Sequence, residues 1–333
     1  MRPWFLVLTD ALPVSPVWSG AAVTLLLLGC LGALRLGLGR EVAFAPRGVP
    51  DQVGLQVRLF FCVVPGHLIA AMAYQERGIL RDLEVLRPGL RVPGAPAELR
   101  RDLTHFPLRR LVQVILLGMV THLVMVFGAR GVLASSMAAE IFAMFAWLVA
   151  APAIYIALSQ AAVFRRVVRQ ASVHLFNLSK HRVYVRAGLR IALVSAGVIA
   201  LAAIFHTDWG SAELPLYFPI FSGLVWAPLC VAMTLLPVWG SHRAIQAEKQ
   251  RERDRVLAAI AGDSAALEAS PLAAHASALT GVTLPDYLEK VDRIREWPFD
   301  APALRRLGLY LLIPPLGWLG GALVERSLER VLQ

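Results

Sequence analysis

Apolar residues fall along this chain in blocks of about 20, the length an α-helix needs to cross a hydrocarbon core of about 30 Å. Arginine-rich stretches separate the blocks. The pattern predicts spans over Val17–Leu38, Leu55–Tyr74, Leu111–Ala129, Ala138–Ala162, Ala187–Phe205, Leu216–Trp239 and Leu307–Val324. The last block is short and holds Pro314–Pro315 at its middle, so it either crosses or folds back. The expected fold is all-α: a polytopic transmembrane helical bundle of six spans and a seventh, with a small cytoplasmic helical insert. Residues 1–240 would hold spans one to six, 241–303 the insert, and 304–333 the last segment and tail. The first block has no small-residue cleavage site before Arg40, and is read as a retained anchor.

Basic residues orient the spans, because cytoplasmic loops carry the excess of Lys and Arg. The loop after span two holds Arg77, Arg81, Arg87, Arg91, Arg100, Arg101, Arg109 and Arg110. The loop after span four holds Arg165, Arg166, Arg169, Lys180, Arg182 and Arg186 without an acid. The intervening loops are poor in basic residues. The N-terminus and the basic loops are therefore expected in the cytoplasm of a bacterium, with the bundle in its inner membrane. Pro88, Pro93, Pro96 and Pro107 predict that residues 77–110 form a partly ordered loop with short helical turns.

Past span six the period changes to that of a water-exposed helix. One helix is expected to run on to Ile260 and stop near Gly262, and Asp263 can cap a second. Thr283, Pro285 and Asp286 start a third, whose Leu284, Tyr287, Leu288, Val291 and Ile294 form one apolar stripe.

Composition agrees with a membrane chain: 57% hydrophobic, 17% charged, mean hydropathy +0.60. The net charge of +10 would suggest nucleic acid in a soluble protein. Here it matches cytoplasmic loops facing anionic headgroups, and no nucleic-acid partner is expected. Arg100, Arg101, Arg109, Arg110, Arg165, Arg166 and Arg169 are the expected headgroup contacts. Cys30, Cys62 and Cys230 lie inside apolar blocks, without metal-ligand or disulfide-like spacing.

Intramembrane polar groups are few: His67 in span two and His122 in span three, with no acid near the middle of any span. That argues against an ion-coupled transporter. Glycine-rich phosphate loops, Gly-x-Ser-x-Gly and His-Glu-x-x-His are absent, so an enzyme is not the expectation. Counted from opposite ends, His67 and His122 differ in depth by only about 6 Å. If adjacent they could share a water, a haem iron or a metal; the ordinary reading is that each bonds a neighbouring helix, with no cofactor. Pro65, Gly66, Pro152, Pro228, Pro314 and Pro315 can kink helices and line a cavity.

Near the end, Leu236-Pro237-Val238-Trp239-Gly240-Ser241-His242 leads into Glu248-Lys249 and then Arg295-Glu296-Trp297-Pro298-Phe299-Asp300. This stretch resembles the C-terminal part of uncharacterised bacterial multi-span membrane proteins, over the last hundred residues or so. The resemblance implies no activity. Three functions remain in view. The first is a channel or passive conduit built by a homo-oligomer. The second is a sensor or assembly factor that binds a protein partner at residues 241–303, or anionic lipid. The third is a redox or metal protein using His67 and His122.

Overall fold

The computed structural model describes residues 1–12, 14–38, 51–87, 95–128, 137–170, 173–205, 227–268, 270, 283–310, 312, 313 and 316. The described residues are helical, with turns and extended links between helices and no strand among them. The elements are α1 (Trp4–Ala11), α2 (Pro16–Leu38), α3 (Asp51–Leu86), α4 (Ala95–Thr104), α5 (Leu108–Gly128), α6 (Met137–Gln170), α7 (Arg182–Phe205), α8 (Ala227–Ile260), α9 (Leu284–Asp292) and α10 (301–310). Short 3₁₀ turns lie at Leu178–His181 and Ser264–Leu267.

Among the described residues five stretches are long and apolar enough to cross a membrane: Pro16–Leu34, Arg58–Leu86, Pro96–Val124, Glu140–Val168 and Arg182–Ala202. The third takes in α4 and the break at residues 105–107, so α5 is its crossing part. These match the first five blocks read from the sequence. The start of the sixth block and most of the seventh lie outside the described residues.

The centre of the bundle is α3. Its apolar window is 67% buried, against 22% for α2 and 17% for α5. It packs on α1, α2, α4, α6 and α7, whereas α5 lies against α6. Leu116, Leu117, Val120 and Val124 accordingly leave α5 with an exposed apolar face, as a lipid-facing helix should. Where α2 crosses α3 the backbones touch: a Cβ on Gly66 would collide with Thr24 Oγ1 and Gly20 O. Such close approach by small residues is how helices associate where lipid removes the hydrophobic drive.

One feature has no counterpart in the hydropathy blocks. Residues 4–11 form α1, which wedges Phe5 and Leu6 into the core beside Val64, Leu68, Ile69 and Met72.

The long helices overrun their predicted ends. At 36 residues, α3 is about 54 Å long and continues through the stretch expected to be a loop. Burial is the reason. Ile79, Leu83 and Leu86 keep helical spacing and pack against Phe164, Val167 and Val168 of α6 and Val183 of α7. Charged residues between them hid that stripe from a hydropathy average.

Candidate functional site

Four residues of α3 share one face: His67, Gln75, Gly78 and Asp82 follow the helical period through Ala71. A complementary row runs along α7 through Arg186, Arg190, Val194 and Gly197. The two rows form a polar seam through the bundle.

At one end of the seam, the buried Asp82 carboxylate meets Arg186 Nη2 at 2.8 Å and also accepts a bond from Arg190 Nη2. Gly78 makes this geometry possible, because a Cβ there would lie 2.8 Å from Arg190 Cδ. Further along, Gln75 Nε2 donates to Gln160 Oε1 at 2.7 Å, and Gln160 Nε2 donates to the Leu103 carbonyl at 3.1 Å. That relay joins α3, α6 and α4. At the other end His67 Nε2 donates to the Val194 carbonyl at 3.3 Å, in the space Gly197 leaves open.

Glu76 belongs to a different face. It receives a two-pronged bond from Arg2, from Nε at 3.1 Å and Nη2 at 2.7 Å, while Arg2 Nη1 also reaches Asp10. The Glu76 carboxylate, and then Asp10, hold the guanidinium further above its already high pKa, so Arg2 is a permanent cation. The seam thus pairs one acid with two bases, and the N-terminal cluster pairs one base with two acids. Buried charges are tolerated when paired in this way, and an unpaired one is costly. Tyr184 Oη and Arg190 Nε are buried here without a hydrogen-bond partner.

His67 and His122 are engaged separately. His122 Nε2 donates to Glu140 Oε2 at 2.7 Å, tying α5 to the first turn of α6. The sequence suggested no carboxylate partner for His122; the structure supplies one from 18 residues downstream. No group of three or more His, Cys, Asp or Glu that could hold a metal occurs among the described residues.

The described residues among those expected to kink helices and line a cavity lie on α3, α6 and α8. Pro65 lies inside the continuous α3, and Gly66 makes the contact with α2. Pro152 is buried inside α6, and Pro228 is exposed at the start of α8. Pro314 and Pro315 lie outside the described residues. Arg100, Arg101, Arg109, Arg110, Arg165 and Arg166 are all exposed. The Arg169 side chain is outside the description. Arg166 also pairs with Asp102 at 3.3 Å across the α4–α6 contact.

Sequence reasoning missed Gln75, Glu76, Asp82 and Gln160, and the pairing of Arg190 with Asp82. Gln75-Glu76-Arg77 depresses the local hydropathy, so the apolar block of the sequence stops at Tyr74. The spacing of Gln75, Gly78 and Asp82 behind His67 was the available signal. The acids missing from the predicted span lie on its helical continuation.

Two further polar nodes lie where α8 leaves the bundle. His181 Nδ1 and the Ser241 hydroxyl share a hydrogen bond of 2.7 Å, and both residues are buried. Burial first, and the neighbouring His174 second, push the His181 pKa down to about 4, so the ring is neutral at pH 7. Beyond it, Glu252 is fully buried on α8. It accepts bonds from Tyr287 Oη at 2.9 Å and from Ser270, and pairs with Arg255 at 3.0 Å. Burial, and then the bond to Glu252, raise the Tyr287 pKa well above that of a free phenol.

Fold and site together define an all-helical chain that has, among its described residues, five helices long and apolar enough to cross a membrane, held by paired internal charges. Comparison with protein-family models, curated proteins and solved structures gave no match.

Proposed function

We propose that this chain is a multi-spanning protein of a bacterial inner membrane, with its basic end in the cytoplasm. It acts there as a sensor or assembly factor that binds a protein partner through residues 241–303. The observation that carries this reading is the arm of α8. It runs on to Ile260, and Val256 packs there with Tyr287 and Val291 of α9 into a small core of their own, around Glu252. The outer side of this module is charged; Glu289 and Arg293, 61% and 78% exposed, are examples. Inside the bundle, by contrast, Gln75 bonds Gln160 and Asp82 pairs with Arg186 and Arg190, which suits a rigid support better than a route for solutes.

A conduit has less support. Gly20 against Gly66, and Gly188 against Thr234, close their helix pairs backbone to backbone.

The test has two arms. Purified full-length protein in proteoliposomes should show no ion flux above empty vesicles. Cross-linking in native membranes should capture one partner at fixed stoichiometry, and the pair Glu289→Arg with Arg293→Glu should abolish the capture. Flux that scales with protein content would replace this reading with the conduit. Capture that the surface variant leaves unchanged would remove the module from the function.

A further inference from the structure

A patch of aromatic rings lies where α8 emerges from the bundle. His242 stacks on Trp297, with centroids 4.1 Å apart and planes at 7°, and its Nδ1 donates to the Glu296 carbonyl at 3.2 Å. Trp239, one turn earlier on α8, meets both rings edge-on at 6.1 and 6.0 Å. Phe299 continues the stack from Trp297. The Arg243 guanidinium sits over the Trp239 ring at 5.6 Å.

These rings are not core. Trp239 and Trp297 are 44% and 39% exposed, although Val238, Ser241 and Ile245 on the same stretch of α8 are buried. Their level in the bundle is fixed by what lies behind them. Val238 packs with Val185 and Leu189 of α7, and Gly240 fits against Arg165 of α6. The patch is therefore level with the basic ends of α6 and α7. Tryptophan at such a level is the usual marker of a membrane–water boundary.

Its charge is also one-sided. The acids here are engaged: Asp300 lies 3.5 Å from Arg182, and Glu296 lies 3.6 Å from Lys249. Among the described residues no acid pairs with Arg243, Arg305 or Arg306. Arg305 and Arg306 are exposed on α10, beside the outward-facing Leu304 and Leu309. One guanidinium on an aromatic ring, two more exposed on the helix that follows Phe299, and exposed leucines beside them match the phosphate, glycerol level and acyl chain of a phospholipid.

We propose that Trp239, His242, Arg243, Trp297, Arg305 and Arg306 form a binding site for the headgroup of an anionic phospholipid. The proposal rests on the membrane placement and orientation above, and deepens the sensor reading. The site joins α8 to the segment that follows α9, so an occupied headgroup would clamp the module at a set angle to the bundle.

The test uses purified full-length protein in detergent, titrated with phosphatidylglycerol or phosphatidylcholine and followed by native mass spectrometry. Phosphatidylglycerol should bind at least tenfold more tightly than phosphatidylcholine. The triple variant Arg243→Gln, Arg305→Gln, Arg306→Gln should lose that preference. The variant Arg253→Gln, exposed further along α8 in the module, should keep it. Equal binding of the two lipids, an unchanged triple variant, or displacement of the lipid by millimolar inorganic phosphate would overturn the site. Unchanged melting of the lipid-free triple variant establishes that it folds. The experiment needs no protein partner, so failure to capture a partner leaves its outcome readable.

Discussion

Single residues in this bundle differ widely in what their removal should cost. Asp82 is the extreme, because two guanidinium groups converge on it and Arg190 is nearly buried. Asp82→Asn keeps the shape and removes the charge, stranding a buried cation, which typically costs about 3–5 kcal/mol. A fall in melting temperature in detergent should be large for Asp82→Asn and near zero for the exposed Arg100→Gln. The neutral Gln75–Gln160 bond is a weaker link. Intramembrane side-chain bonds of this kind average about 0.6 kcal/mol. A double-mutant cycle over Gln75→Leu and Gln160→Leu should return a coupling of that order, and one above about 2 kcal/mol would mean a larger network. His181 gives a pH signature. Its folded pKa of about 4 lies below the unfolded value of 6.5. Between those values the unfolded chain holds a proton that the folded chain lacks. Its contribution is therefore complete above pH 6.5 and is lost as pH falls toward 4, by up to about 3 kcal/mol. Melting curves from pH 7 to pH 5 should show this decline, and His181→Asn should flatten it.

Elements in this chain are made by burial in the bundle and by capping in the module. At the α2–α3 crossing a side chain on Gly66 would meet Thr24 and the Gly20 carbonyl. Gly66→Leu should therefore push α2 away, at a cost of about 1–3 kcal/mol for overpacking. A cross-link between cysteines at Leu27 and Phe142, which share a buried cluster, should then form more slowly. In the module, the Thr283 hydroxyl accepts from the Asp286 amide, and the Asp286 carboxylate accepts in turn from the Thr283 amide. This capping box was legible in the sequence, as was the end of α8 at Gly262, whose φ of +107° suits glycine. Five apolar blocks were legible for the same reason: length and hydropathy are local quantities. The end of α3 was not. It depends on Leu83 and Leu86 meeting Phe164 and Val167, residues some 80 positions away. The site was less legible still. His67 stands out by its chemistry within an apolar block, whereas the role of Asp82 comes only from Arg186 and Arg190 of α7, which face it across the bundle.

At the scale of the whole molecule, the antiparallel order of the helices assigns every exposed residue to one of two ends. Gly240 beside Arg165, and Val185 beside Val238, put the C-terminal part of α6, the start of α7 and the middle of α8 at one level. Arg166 and Phe176 are exposed at this basic end. The opposite end carries Leu36 at the close of α2, which is 89% exposed. If α2 and α6 both cross, Leu36 and Arg166 must face different compartments. A chain lacking Cys30, Cys62 and Cys230 can report this with one introduced cysteine at a time. In inside-out vesicles a membrane-impermeant maleimide should label Arg166→Cys and Phe176→Cys, and should label Leu36→Cys only after the membrane is opened with detergent. Labelling of all three from one side would mean that the apolar helices do not all cross, and the exposed leucines of α5 would then need a protein cover in place of lipid. The reverse pattern, with Leu36→Cys labelled and the other two protected, would keep the spans and invert the protein, placing the α8–α9 module outside the cell, where a cytoplasmic partner cannot reach it.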